Sequence, residues 1–214
     1  QTQMRDPMEN PSLPGREGLN INEEDMKEIE KITEELISGA EECTMEPEMV
    51  KQTIVAYYTV QKLLEAYDCN AFTAPCPDIC STRRFTTEKY TLCMTHSLND
   101  ENGISSACEY DINSAVAKVI MTNLTGKAPY MGNTNAIIYQ DGHMIPFHKF
   151  SDETMEHIDD KTNLYMTFHS VPNRLFKGLN EAKSTYRLAP FAYSGFGATI
   201  RYDWNQDIGQ VITM

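Results

Sequence analysis

The 214-residue chain lacks the long apolar runs and the glycine motifs that mark several large protein classes. No segment approaches the roughly 18 consecutive apolar residues that a membrane-spanning helix needs. Neither a phosphate-binding glycine loop nor a G-x-S-x-G nucleophile motif is present. The opening residues, Gln-Thr-Gln-Met-Arg-Asp-Pro, also lack the charged-then-apolar pattern of a secretory signal. We therefore expect a cytoplasmic protein with no membrane partner.

Basic side chains are outnumbered, since 18 Lys and Arg stand against 31 Asp and Glu and give a net charge of −13. Without a basic patch to offset the repulsion from phosphates, the chain is not expected to bind nucleic acid. Much of the acidity falls within residues 23–48, which is typical of a solvated helix face. The hydrophobic content of 41% is that of an ordinary globular protein.

The six cysteines do not have the pattern of a disulfide framework. Several lie inside apolar runs, which favours buried, reduced thiols. The spacings between Cys69, Cys76, Cys80 and Cys93 match no closely spaced pair of zinc ligands. No local signature of a cysteine nucleophile is present either. A cysteine–zinc interaction module therefore remains only a third hypothesis for this chain.

Apolar periodicity predicts two helices at the start of residues 22–135. Asn22, with Asp25 three residues later, has the pattern of a capping box, and the helix that follows should end at Gly39. A second helix is expected to begin near Pro47, a favoured first-turn residue, and to run to about Tyr67. Residues 1–21 are rich in proline and glycine and are interpreted as a loop.

Strands and helices then alternate up to residue 135. Short strands are predicted at 69–74, 104–109 and 128–131, and a turn at 99–103, while 89–95 fits a strand or a helix equally well. A helix over 112–124 should end at Gly126 and bury one apolar face, made of Ile112, Val116, Val119, Ile120 and Leu124. This alternation predicts an α/β fold in which part of a parallel α/β layer spans residues 22–135.

The predicted secondary structure changes near residues 134–140, from alternating strands and helices to short strands. The segments 136–139, 163–169 and 197–204 are short, β-branched and aromatic, and Asp141-Gly142 and Asp207-Ile208-Gly209 have the pattern of hairpin turns. Residues 136–214 are therefore predicted to form an antiparallel β-barrel-like domain. Because 209–214 has the pattern of a strand without a partner, we expect the chain to be part of a longer polypeptide.

Glu109 and Asn133 are the first candidate site residues, because each lies at the carboxyl end of a predicted strand of the parallel layer. Ligands collect beyond the carboxyl ends of such strands. Two oxygen-bearing side chains delivered there suit a hard divalent cation. The alternative is that Glu109 only favours the N-terminus of the next helix. Asp111 already occupies the capping position, however, and an unpaired carboxylate is costly to bury, so we favour a functional Glu109.

His169 closes a predicted apolar strand and is the third candidate, although a histidine there is more often a core residue than a metal ligand. The remaining histidines are weaker candidates for metal ligands. His143 and His148 lie in a loop-like segment and are expected at the surface, and His96 and His157 have no supporting context.

Several short blocks occur in a recognisable order, namely Asn102-Gly103-Ile104, Ala107-Cys108-Glu109-x-Asp111, Thr125-Gly126-Lys127-x-Pro129-x-Met131-Gly132-Asn133 and Phe168-His169-x-x-Pro172. In this order they resemble the L-fucose isomerase and L-arabinose isomerase superfamily over roughly residues 50–214. The resemblance implies the end of a middle domain followed by the start of a C-terminal β-barrel. It also implies a homo-oligomer that acts on a monosaccharide.

The resemblance implies a divalent metal, typically Mn²⁺, held by Glu109, by His169 and by Asn133. The family has an aspartate where this chain has Asn133, and the amide supplies an oxygen but no negative charge and no proton acceptor. The implied reaction is aldose–ketose isomerisation through a cis-enediol, with catalytic roles at Glu109 and Asn133. The alternative is a sugar-binding or structural homologue that has lost the metal.

Overall fold

A computed structural model describes residues 20–76, 90–136, 138–140, 143–145, 156, 165–169, 171–191, 195–211 and 213. Its first half contains α1 (Glu23–Gly39), β1 (Glu42–Cys43), α2 (Pro47–Ala66), β2 (Ala71–Thr73), α3 (Cys93–Glu101), β3 (Ser105–Ala107) and α4 (Ile112–Thr125). Its second half contains β4 (Asn133–Ala136), β5 (Ile138–Gln140), β6 (His143–Ile145), β7 (Tyr165–Phe168), β8 (Tyr186–Pro190), β9 (Ala198–Tyr202) and a 3₁₀ helix (Trp204–Asp207). The predicted mixed α/β class is confirmed.

The two N-terminal helices begin where the sequence predicts. The Asn22 side chain accepts hydrogen bonds from the backbone N–H groups of Glu24 and Asp25, and Asp25 accepts one from the Asn22 N–H, each 2.9 Å long. This is the predicted capping box, which satisfies N–H groups that have no partner inside the helix. Pro47 begins α2, as predicted.

A shared apolar core joins the helices to the C-terminal sheet. Buried residues of α1 and α2, such as Ile29 and Ile54, pack in one cluster with Leu188 of β8 and Ile200 of β9. These strands belong to a three-stranded sheet of order β1-β8-β9, in which β1 and β8 are parallel and β8 and β9 antiparallel.

The other sheets are pairs of strands. β2 and β3 are parallel, while β4–β7 and β5–β6 are antiparallel. The pairing of Gln140 with His143 agrees with the predicted hairpin at 141–142, two residues that themselves lie outside the described part. The strand β6 also places His143 in a strand and not, as predicted, in a loop. Among the described residues the strands form no closed barrel.

Helix α3 resolves the ambiguity at 89–95. The chain is helical from Cys93 to Glu101, so the predicted turn at 99–103 is reduced to Asn102 and Gly103. Every residue of α3 is buried, because the helix packs against α2, β3 and β9. Its polar residues are therefore inside the protein.

Helix α4 ends at Gly126 in the left-handed conformation, as predicted, but the predicted burial of its apolar face is wrong. Four apolar residues of that face lie at the surface in the described part of the chain: Ile112 (55% exposed), Val116 (55%), Ile120 (53%) and Leu124 (77%). The buried residues of α4 are Ala115 and Lys118. The reason is that Lys118 reaches a buried carboxylate of α3, which turns the opposite face outward.

The predicted strand at 128–131 is absent, and Asn133 begins β4 instead of following a strand. The Tyr130 N–H donates to the carbonyl of Thr213, and the Tyr130 ring packs with Phe176 and Trp204. These contacts hold the segment in place without a strand partner. At the other end of the chain, Ile208 and Gly209 form a turn, but it is not the predicted hairpin turn, because it follows the 3₁₀ helix and the described residues after it (210, 211 and 213) are not in a strand.

No helix among the described residues is long and apolar enough to cross a membrane. None of the five cysteines in the described part of the chain forms a disulfide.

Candidate metal centre

Glu109 lies in a strained turn between β3 and α4. Its φ is +63° and that of Tyr110 is +57°, a left-handed conformation that non-glycine residues rarely adopt and that is often found at functional sites. The turn is held by hydrogen bonds from the Tyr110 N–H to the Ala74 carbonyl (2.8 Å) and from the Asp111 N–H to the Cys108 carbonyl (3.1 Å). This turn fixes where the Glu109 side chain leaves the backbone.

The structure brings His169 to Glu109. The His169 Nε2 lies 3.6 Å from the Glu109 Oε1, and the two side chains are 7% and 42% exposed. Glu109 is therefore not the buried, unpaired carboxylate expected from the sequence. Its side chain is half-exposed and has an imidazole beside it. Burial lowers the pKa of His169, while the Glu109 charge opposes the shift. A lowered pKa favours the neutral imidazole, which has a lone pair for a metal.

Asn133 approaches the same region from β4. It pairs with Phe168, the residue before His169, in the antiparallel ladder of β4 and β7. Asn133 and Glu109 both line a cleft of ≈ 410 Å³ whose wall also includes Asp111 and Lys118. The three residues predicted from the sequence therefore lie in neighbouring parts of one region. Glu109 and His169 are in direct contact.

A second group of potential ligands, which the sequence analysis missed, lies next to this pair. The donor atoms of Cys76, His96 and Cys108 all lie within 4.8 Å of one another. All three residues are buried, with exposures of 5%, 0% and 5%. Because β2 and β3 are parallel, their carboxyl ends meet at one edge of the sheet, and Cys76 and Cys108 follow those ends. His96 comes from the buried helix α3.

Hydrogen bonds fix the orientation of the His96 ring. Its Nε2 lies 3.2 Å from the Cys76 Sγ, and its Nδ1 lies 2.7 Å from the Ser106 Oγ. Ser106 also accepts a hydrogen bond from the Asn99 amide, which in turn accepts one from the Gln61 amide at 2.6 Å. This chain of polar groups leads from the cluster to α2 and leaves the imidazole few alternative orientations.

The two thiols of the cluster differ in acidity. A hydrogen bond from the Cys108 thiol lowers the pKa of Cys76 to about 4, with burial opposing the shift and His96 reinforcing it. The pKa of Cys108 is raised, because its proton is shared with Cys76 and because it is buried. Cys76 is therefore the thiolate of the pair.

The two groups are contiguous. Cys108 and Glu109 are consecutive residues, and the charges of His96 and Cys76 both influence the pKa of His169. The signal that could have revealed the second group is the position of Cys76 and Cys108 close to the carboxyl ends of two strands. Other members of the zinc set considered from the sequence do not join it: Cys69 is exposed, Cys93 is buried outside the group, and Cys80 lies outside the described residues.

The arrangement can hold divalent ions of two chemical kinds. Glu109 and His169 offer an oxygen and a nitrogen close enough to contact one ion, since metal bonds to such atoms are about 2.0–2.2 Å long. Cys76, His96 and Cys108 offer softer donors. The remaining histidine candidates, His148 and His157, lie outside the described residues.

No protein-family model, curated protein or solved structure matches this chain.

Proposed function

We propose that this chain carries the metal-binding region of an aldose–ketose isomerase of the L-fucose and L-arabinose isomerase type. The observation that supports the proposal most is the 3.6 Å separation of the Glu109 Oε1 and the His169 Nε2. The two residues belong to distant segments of the chain, and the resemblance assigns both of them to one metal ion. We also propose the finer architecture that the resemblance implies, a parallel middle-domain layer followed by a β-barrel domain, in a homo-oligomer.

Glu109, Asn133 and His169 would hold the cation, for which Mn²⁺ is the ion we propose. The donor set of a carboxylate, an amide oxygen and an imidazole fits such an ion. When bound, the ion supplies Lewis-acid polarisation of the sugar O1 and O2. Asn133 provides an oxygen without a charge. The site therefore has one negative charge fewer than it would have with an aspartate at this position.

Glu109 would transfer the proton between C1 and C2 of the sugar. Its carboxylate is half-exposed and lines a cleft of ≈ 410 Å³, which lies in the size range of small-molecule sites. The group must lie within about 3 Å of both carbons to remove the proton from one and return it to the other. The strained turn at Glu109 and Tyr110 supports such a role, because it fixes the origin of the side chain.

The second candidate function is a non-catalytic sugar-binding homologue. The observation that favours it is Asn133, whose amide cannot accept a proton and adds no charge to hold a cation. In that case the cleft beside Glu109 would bind a sugar without a metal, and Glu109 would only pair with His169.

Calorimetry combined with turnover separates the two functions. The protein, stripped with a chelator, is titrated with Mn²⁺ and then assayed on a panel of aldoses, beside Glu109→Gln and the control Glu65→Gln on the exposed side of α2. We expect Mn²⁺ binding and turnover in the wild type and the control, and loss of turnover in Glu109→Gln. Turnover that survives in Glu109→Gln would disprove the mechanism. Sugar binding without any Mn²⁺ heat would favour the second candidate.

A further inference from the structure

We infer that Cys76, His96 and Cys108 form a binding site for a zinc-class divalent ion. This site is separate from the oxygen-donor site proposed at Glu109, and it does not depend on the proposed isomerase function. Both sulfur atoms would bind the ion as thiolates and form metal–sulfur bonds, while the His96 Nε2 would donate its lone pair. Zinc binding would therefore release the thiol proton that the Cys76–Cys108 pair still holds and leave a site in which the thiolate charges balance the ion.

The distances within the cluster fit one ion. With Zn–S bonds of about 2.3 Å and Zn–N bonds of about 2.0–2.1 Å, two ligands of a tetrahedral zinc lie roughly 3.5–3.8 Å apart. The three donor atoms all lie within 4.8 Å of one another, and the Cys76 Sγ is 3.2 Å from the His96 Nε2. Shifts of at most about 1 Å would therefore bring all three donors into contact with a common centre.

The surroundings of His96 are those of a metal ligand. A ligating histidine usually donates its second ring N–H to a fixed acceptor, which selects the tautomer and orients the ring. Here the Nδ1 lies 2.7 Å from the Ser106 Oγ, and Ser106 is fully buried in β3. The Nε2 then faces the sulfur atoms. Asn99 and Gln61 extend this support toward α2.

The donor types determine which ion would bind. Two thiolates and an imidazole favour zinc and other borderline-soft ions over Mn²⁺ or Mg²⁺, which prefer oxygen ligands. Within the described ranges no fourth His, Cys, Asp or Glu joins the group. Since Cys108 precedes Glu109, a bound zinc would also tether the strained turn that positions Glu109 to the segment after β2.

Cobalt spectroscopy tests the proposal, because thiolate-bound Co²⁺ gives a charge-transfer band in the near ultraviolet that oxygen ligands do not give. The reduced, chelator-treated protein is titrated with Co²⁺ and then with Zn²⁺. We expect the band to saturate at about one ion per chain and to disappear when Zn²⁺ displaces Co²⁺. Cys76→Ser and Cys108→Ser should each weaken zinc binding by about tenfold or more. The control is Cys69→Ser, which alters an exposed cysteine and should change nothing.

Thiol protection gives a second readout that does not depend on a folded variant. Wild-type protein is alkylated with and without Zn²⁺, and the modified cysteines are identified by peptide mass spectrometry. We expect Zn²⁺ to protect Cys76 and Cys108 and to leave Cys69 unprotected. The proposal is overturned if the thiolate band is absent, if its intensity and titration are unchanged in Cys76→Ser, or if Zn²⁺ protects neither thiol. The Glu109→Gln variant should keep the cobalt band, so failure of the isomerase proposal would leave this result intact.

Discussion

The Lys118 ammonium donates a hydrogen bond of 2.5 Å to the Asp100 carboxylate inside the protein, where the two side chains are 5% and 1% exposed. Asp100 also accepts the Ser106 N–H (3.0 Å), and Lys118 donates to the Ser106 carbonyl (2.5 Å). Burial raises the pKa of Asp100 to about 7, with Lys118 opposing the shift. This ion pair stabilises β3, the strand that precedes Cys108 and Glu109.

Replacing Lys118 alone should therefore destabilise the fold strongly. In Lys118→Met the Asp100 carboxylate is left buried without a counter-charge, which typically costs about 3–5 kcal/mol. Urea denaturation would measure the loss in the free energy of unfolding. The control is Lys31→Met, which breaks a surface pair with Glu28 and should cost less than about 1 kcal/mol.

The double variant Asp100→Asn/Lys118→Met distinguishes the lost charge pair from the lost hydrogen bond to Ser106. The amide still accepts the Ser106 N–H but carries no charge, so the double variant should be more stable than Lys118→Met alone. A double variant as unstable as the single one would show that the hydrogen bond from Lys118 to the Ser106 carbonyl, and not the charge pair, holds β3.

Local sequence signals predicted the beginnings and ends of elements, and long-range contacts decided the rest. The capping box at Asn22, the first-turn Pro47 and the left-handed Gly126 act within a few residues, so the sequence was sufficient for them. The buried face of α4 was not predictable in this way. Periodicity marks an apolar stripe, but here a contact between Lys118 and Asp100 of another helix determines which face turns inward.

The candidate site shows the same limit. The spacing of Glu109 and His169 in the sequence does not indicate that they are close in space. The family resemblance predicted that they share a metal ion, and in the structure their side chains lie 3.6 Å apart. The group of Cys76, His96 and Cys108 was missed, because it forms only where β2, α3 and β3 converge. His96 in particular has no neighbour in sequence that suggests a ligand. The hydrogen bond between its Nδ1 and the Ser106 Oγ, which orients the ring, is evident only from the structure.

The capping box of α1 predicts a loss of stability in acid. The Asn22 N–H and the Lys62 ammonium lower the pKa of Asp25 below its ordinary value. A lowered pKa contributes stability above the ordinary aspartate pKa, and this contribution is lost as the pH falls through the lowered, folded-state value. We therefore expect the urea midpoint of the wild type to fall between about pH 5 and pH 2.

The variant Asp25→Asn tests the origin of this acid sensitivity. It should have a lower midpoint near neutral pH and a weaker dependence on pH in the acid range, because the titrating group is gone. The control Glu34→Gln lies on the exposed part of the same helix and should keep the wild-type profile. A profile of Asp25→Asn that parallels the wild type would assign the acid sensitivity to other carboxylates.

Gly132 provides a test of how β4 and β7 position the proposed manganese ligands. A Cβ atom added there would lie 2.4 Å from the Thr167 Cγ2 and 2.9 Å from the Tyr130 Cε1. Gly132→Ala should push the strands apart next to Asn133 and His169, and we expect about tenfold weaker Mn²⁺ binding by calorimetry, equivalent to about 1.4 kcal/mol. Thr167→Ser removes the clashing methyl and keeps the hydroxyl, while the contact with Tyr130 remains, so the double variant should recover part of the affinity. If it recovers none, separation of β4 and β7 is not the cause.

Asn133→Asp should strengthen Mn²⁺ binding, because it adds a negative charge beside Glu109 and His169 without changing the size of the side chain. A nearby charge typically contributes about 1–2 kcal/mol, so we expect roughly a tenfold gain in affinity by calorimetry. The control Asn123→Asp adds the same charge on the exposed surface of α4 and should change the affinity by less than about twofold. If the two variants behave alike, Asn133 does not contact the ion, and the metal site would have to be assigned to Glu109 and His169 without it.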